Sequence, residues 1–73
     1  MEHDVRDALE RVLGHPVDAR ADTPLSALGF EPFAWPALAA VLADVASIDD
    51  ADAQGVETFG DLVRVVALRG RPS

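Results

Sequence analysis

Prolines 16, 24, 32 and 36 divide the first half of this 73-residue chain, and they decide where helix can form. Proline lacks the N–H that would bond the carbonyl four residues back, and its ring clashes there, so continuous helix is confined to the stretches between them. Before Pro16, Val5, Ala8, Leu9, Val12 and Leu13 recur at the three- and four-residue spacing of one helix face. With Asp4 as N-cap and Gly14 just beyond the last turn, the spacing predicts a first helix over 4–13. From His15 to Ala27 the chain keeps no period and holds Asp22, Thr23, Pro24 and Ser26, the mark of a loop of about a dozen residues that needs its own packing. Val17, Leu25, Leu28 and Phe30 are its expected anchors.

Gly29 to Pro36 leads into the next regular stretch. A helix opened by Pro32 would lose the Pro36 N–H that should bond back to the Pro32 carbonyl, at a cost of about 3 kcal/mol. Pro36 is therefore expected at the first helical position, which tolerates proline, and the helix over 36–46. Leu38, Val41, Leu42, Val45 and then Ile48 form its apolar stripe; Ala37, Ala39, Ala40, Ala43, Asp44 and Ser47 form an opposite face with almost no charge. Asp49, Asp50 and Asp52 predict at most one acid-capped helical turn over about 50–54. Thr58-Phe59-Gly60-Asp61 has the capping-box pattern, in which hydroxyl and carboxylate satisfy each other's backbone amides. A last helix over 58–69 follows, with Phe59, Leu62, Val63 and Val66 inward and Arg64 and Arg69 toward its negative end; Gly70 and Pro72 stop it. The pattern is all-α: one domain over 1–73, a small antiparallel bundle of three long helices and one short one.

Composition narrows function. Thirteen Asp and Glu against six Arg and no Lys give a net charge of −7, which repels nucleic acid and anionic lipid and suits basic protein surfaces. Cysteine is absent, so packing alone must hold a small core. No run reaches the length of a membrane span, and the acidic start Met1-Glu2-His3-Asp4 lacks the basic-then-apolar order of a signal peptide, which makes a cytoplasmic protein the expectation. His3 and His15 have no Ser or Cys partner and read as surface residues. The Asp49, Asp50, Asp52 group is too small for a calcium loop, and no catalytic triad or metal set can be assembled.

The order of elements, the stretch Asp22-Thr23-Pro24-Leu25-Ser26-Ala27-Leu28-Gly29-Phe30-Glu31, and Ile48-Asp49-Asp50 followed by Thr58-Phe59-Gly60-Asp61-Leu62-Val63 together resemble the acyl carrier protein family. The resemblance covers most of the chain from Asp22 onward. It implies that family's fold and a role in fatty-acid, polyketide or peptide-type assembly. It also locates a departure. Where family members present Asp-Ser-Leu, with the serine esterified by 4′-phosphopantetheine, this chain reads Glu31-Pro32-Phe33. Proline has no hydroxyl, so no prosthetic group and no other cofactor or metal is expected. Ser26 and Ser47, the nearest hydroxyls, do not match the motif. The family's second helix also displays carboxylates that dock on partner enzymes, whereas this one offers Asp44 alone among alanines.

The expected function is non-catalytic: an acyl-carrier-like protein that binds, scaffolds or regulates a biosynthetic enzyme. Its partner-binding residues are expected to be Glu31, Phe33, Trp35, Ala37, Ala40 and Asp44. Trp35 reads equally as an exposed anchor or as a cap on the core. The alanine face admits a partner helix or a second copy, making a homodimer possible. The rival reading is an ordinary carrier whose attachment residue has been replaced in this chain; the joint presence of Pro32, Trp35 and Pro36 speaks against a single change.

Overall fold

A computed structural model describes residues 2–70. Four α-helices follow one another: α1 over Glu2–Leu13, α2 over Trp35–Val41, α3 over Asp50–Gln54 and α4 over Phe59–Arg69. Tighter 3₁₀ turns lie at Leu25–Leu28, Pro32–Ala34 and Leu42–Asp44. Among the described residues no strand forms; two isolated bridges join Pro24 to Thr58 and Ala46 to Gly70. The all-helical class expected from the sequence is thus the observed one.

Helix α1 starts earlier than expected. Asp4 is not its N-cap but lies in its first turn with Glu2, where carboxylates face the positive end of the helix dipole. Glu2 also pairs with Arg6 one turn on, at 3.0 Å. The helix ends where expected, with the Gly14 N–H donating to the Glu10 carbonyl. Val5, Ala8 and Leu9 are buried and face Leu38 of α2 and Phe59, Leu62 and Val66 of α4 in one core. Val63, expected inward, is only partly buried at its edge.

The second helix departs most from the expected 36–46. Pro32 does open a helical turn, but a 3₁₀ one, in which the Trp35 N–H donates to the Pro32 carbonyl. That carbonyl is satisfied before the Pro36 N–H would have been needed, so the two prolines coexist, with Pro36 second rather than first in α2. At the far end the helix tightens after Val41, and the Leu42 carbonyl accepts from both Val45 and Ala46 at 2.8 Å. The tighter turn moves burial from Val45 to Ala46, which is fully enclosed. One of the three expected long helices is therefore a seven-residue helix between two 3₁₀ turns.

The long first loop is strapped to the start of α4. The Leu25 N–H donates to the Glu57 carbonyl (2.9 Å), Phe59 N–H to Thr23 (2.9 Å) and Gly60 N–H to Ala21 (2.8 Å). Thr58 and Asp61 form the expected capping box: the Asp61 N–H donates to Thr58 Oγ1 and the Thr58 N–H to Asp61 Oδ2. The opening amides of α4, unpaired in an isolated helix, thus all find acceptors. Val17 and Leu25 are buried as anchors, Phe30 swings inward after Gly29 turns through a left-handed φ of 86°, and Leu28 is half-buried. The α3 turn is capped by its own box between Asp49 and Asp52. At the end of α4, Gly70 is extended rather than left-handed and pairs with Ala46 instead of capping the helix; Pro72 lies outside the described residues.

Gly60 is fixed by the strap. A Cβ there would sit 2.6 Å from the Ala21 carbonyl oxygen, so the loop approaches only a glycine this closely. Gly60→Ala should destabilise the domain by about 1–3 kcal/mol, the scale of overpacking, although alanine is the better helix former; urea unfolding of the two proteins measures it. The Asp61 carboxylate accepts from the Glu57 and Thr58 amides, which hold its pKa below the ordinary 3.8. Its contribution to stability is present above the ordinary value and is lost as pH falls through the folded one. Thermal melts of the parent and Asp61→Asn should differ most at neutral pH and converge as acid protonates the folded-state carboxylate, below its ordinary range.

Candidate functional site

Glu31, Pro32 and Phe33 form the exposed lead-in to α2, and the residues named in the sequence fall on two adjoining surfaces there. Phe33 is 80 % exposed, an unusual state for a phenylalanine, because the Pro32–Ala34 turn points it away from the core. Trp35 is half-buried: its ring meets Phe30 edge to face at 5.0 Å and 82°. Trp35 is thus neither a fully buried cap nor a fully exposed side chain. Ala37 and Ala40 are exposed on the outer side of α2, and Ala43, Asp44 and Ser47 on the 3₁₀ turn and chain beyond it, with Asp44 the sole charge among these five.

The structure brings to this end residues that the sequence did not place there. Pro24 and Leu25 from the loop, and Val56 and Glu57 after α3, come up beside Pro32 and Trp35 to form an open groove of about 390 Å³. A second shallow groove shares Pro32, Trp35 and Val56 with it and extends to Asp50 and Gln54 of α3. Val56 and Glu57 lie twenty-one and twenty-two positions from Trp35 in the chain, and the strap bond from Leu25 to Glu57 holds them beside the loop. The sole sequence signal is Val56, an apolar residue between Gly55 and Glu57 with no helical stripe to belong to.

Pro32 offers no hydroxyl for a phosphodiester. Ser26 lies in the loop turn and Ser47 beyond α2, neither beside Glu31 and Phe33 in sequence. Asp49 and Asp52 are occupied with capping, and Asp52 also takes Arg69 at 3.0 Å. The amide of Asp49 and the Arg69 guanidinium hold the Asp52 pKa below its ordinary value. Among the described residues no three metal-ligating side chains gather, and no helix is long and apolar enough to cross a membrane. His3 and His15 are exposed, as expected. No family model matches the chain, and neither the curated proteins nor the solved structures contain a significant match.

The geometry predicts an intermediate cost for losing the indole. Trp35→Ala should reduce stability by about 1–2 kcal/mol, below the 3–5 kcal/mol of a fully buried aromatic, and leave a cooperatively folded domain by circular dichroism.

Proposed function

We propose that the chain is an acyl-carrier-like domain without a prosthetic arm. It acts as a non-catalytic binding, scaffolding or regulatory subunit for a biosynthetic enzyme of fatty-acid, polyketide or nonribosomal-peptide type. The observation that carries this reading is Pro32, at the position where the resemblance calls for the attachment serine, in a turn that also turns Phe33 outward. The succession of α1, a long strapped loop, α2, the short α3 and α4 supports it. Loss of the hydroxyl removes the chemistry and leaves recognition, and an exposed phenylalanine beside a half-buried tryptophan is suited to fill a partner's pocket. Glu31, Phe33, Trp35, Ala37, Ala40 and Asp44 would make the contact. Pro36 and Trp35 beside Pro32 favour this over a carrier with one replaced residue, because the whole lead-in is rebuilt around the 3₁₀ turn.

With a broad-specificity phosphopantetheinyl transferase and coenzyme A, intact-mass spectrometry should show no adduct. The tagged chain should retain a biosynthetic enzyme from the cells that make it, and Phe33→Ala or Ala40→Glu should weaken that retention at least tenfold. A stoichiometric adduct on Ser26 or Ser47, or retention indifferent to both variants, would overturn the reading.

A further inference from the structure

Residues 47–56, the stretch that carries α3, include no buried residue. The chain on either side is pinned: Ala46 is fully enclosed and bridged to Gly70, and the Glu57 carbonyl accepts the Leu25 N–H of the strap. Between those two points the backbone hydrogen bonds close on themselves, with the Ala53 N–H donating to Asp49, Gly55 to Asp52 and Val56 to Ala53. The carboxylates of Asp49 and Asp52 likewise cap each other's amides. Among the described residues, the hydrogen bonds that join this stretch to the rest of the protein are two, from Nε (3.2 Å) and Nη2 (3.0 Å) of Arg69 to Asp52 Oδ1. Ile48 and Val56 add apolar contact, each partly buried against the core.

A segment opens separately from its domain when it buries little apolar surface and shares few bonds with the remainder. This stretch meets both conditions, whereas α1 and α4 bury Val5, Leu9, Leu62 and Val66 in the common core. The α4 end of the tether is held in place because Gly70, next to Arg69, is bridged to Ala46. The same stretch supplies Asp50, Ala53, Gln54 and Val56 to the shallow groove at Trp35, so its opening removes that side of the groove.

We propose that residues 47–56 open as one unit while the core of α1, α2 and α4 stays folded, and that the Arg69–Asp52 pair is the latch that sets the population of the open form. The groove at Trp35 then has two forms, one with α3 in place and one without it, and a residue of α4 governs the balance. The latch operates whether or not this end meets a partner.

Amide hydrogen exchange of the intact protein, followed residue by residue by NMR, separates local from global opening. Protection of the Ala53, Gly55 and Val56 amides should agree within about threefold and lie at least tenfold below that of Leu9 and Val66. Urea below the unfolding transition should lower the protection of Leu9 and Val66 steeply and that of the three scarcely, because denaturant sensitivity scales with the surface exposed on opening. Arg69→Gln should lower the protection of the three about two- to fivefold, the reach of one ion pair at the surface. Arg64→Gln, the same loss of charge at an exposed residue of α4 that lies outside the latch, should leave it unchanged. Protection of the three equal to that of Leu9 and Val66 with the same urea dependence would overturn the proposal. So would three unrelated values, no protection of these amides in the parent, or an equal response, large or absent, to the two arginine variants.

Discussion

The structure depends on the strap between the first loop and the start of α4. A helix begins with amides that have no partners in the preceding turn, and a long loop begins with carbonyls and amides that have none at all. Here each solves the other's problem: Phe59 and Gly60 donate to Thr23 and Ala21, and Leu25 donates to Glu57. The Thr58–Asp61 box takes the remaining amides. With the loop held down, Val17, Ala19 and Leu25 are carried into the core beside α1. Glu10 adds a second fastening by accepting the Val17 N–H at 2.9 Å. Arg6 reaches across all three parts, pairing with Glu2, touching the Ala19 carbonyl at 3.4 Å and lying 5.8 Å over the Phe59 ring.

The strap also shapes the surface. It holds the loop and α3 beside the lead-in to α2, so that Pro24, Val56 and Glu57 approach Trp35. The lead-in is rigid for a local reason, since both prolines fix their own φ and Trp35 closes the turn onto the Pro32 carbonyl. Phe33 stands exposed on this turn, and the Trp35 ring is held edge to face against Phe30.

Charge divides between structure and surface. Asp49, Asp52 and Asp61 serve backbone amides, and Asp52 ties α3 to Arg69 near the end of α4. Such exposed pairs contribute modestly, so α3, which buries no residue of its own, is held chiefly by its cap and its neighbours. Glu31, Asp50 and Glu57 are left exposed around the aromatic end, where they act on whatever approaches it.

Sequence alone determined the elements whose rules are local. The apolar spacing of Val5, Ala8 and Leu9 fixed α1, and the threonine and aspartate three residues apart fixed the start of α4, because caps and helix faces are written within one or two turns. The acid-capped turn after Asp49 was legible for the same reason, as were the outward Ala37 and Ala40 of α2. Tertiary structure decided what depended on partners distant in the chain. Pro32 and Pro36 are compatible because a 3₁₀ bond from Trp35 replaces the α-helical one, a choice between two hydrogen-bond patterns that residue spacing does not make. Ala46 rather than Val45 is enclosed because the turn at Leu42 tightens and the chain meets Gly70. Gly60 is required by a carbonyl thirty-nine positions earlier, at Ala21, and the groove beside Trp35 exists because Val56 and Pro24 are brought there by the same backbone bonds. Side-chain period is a local quantity, whereas the approach of two backbones is set by the whole packed core.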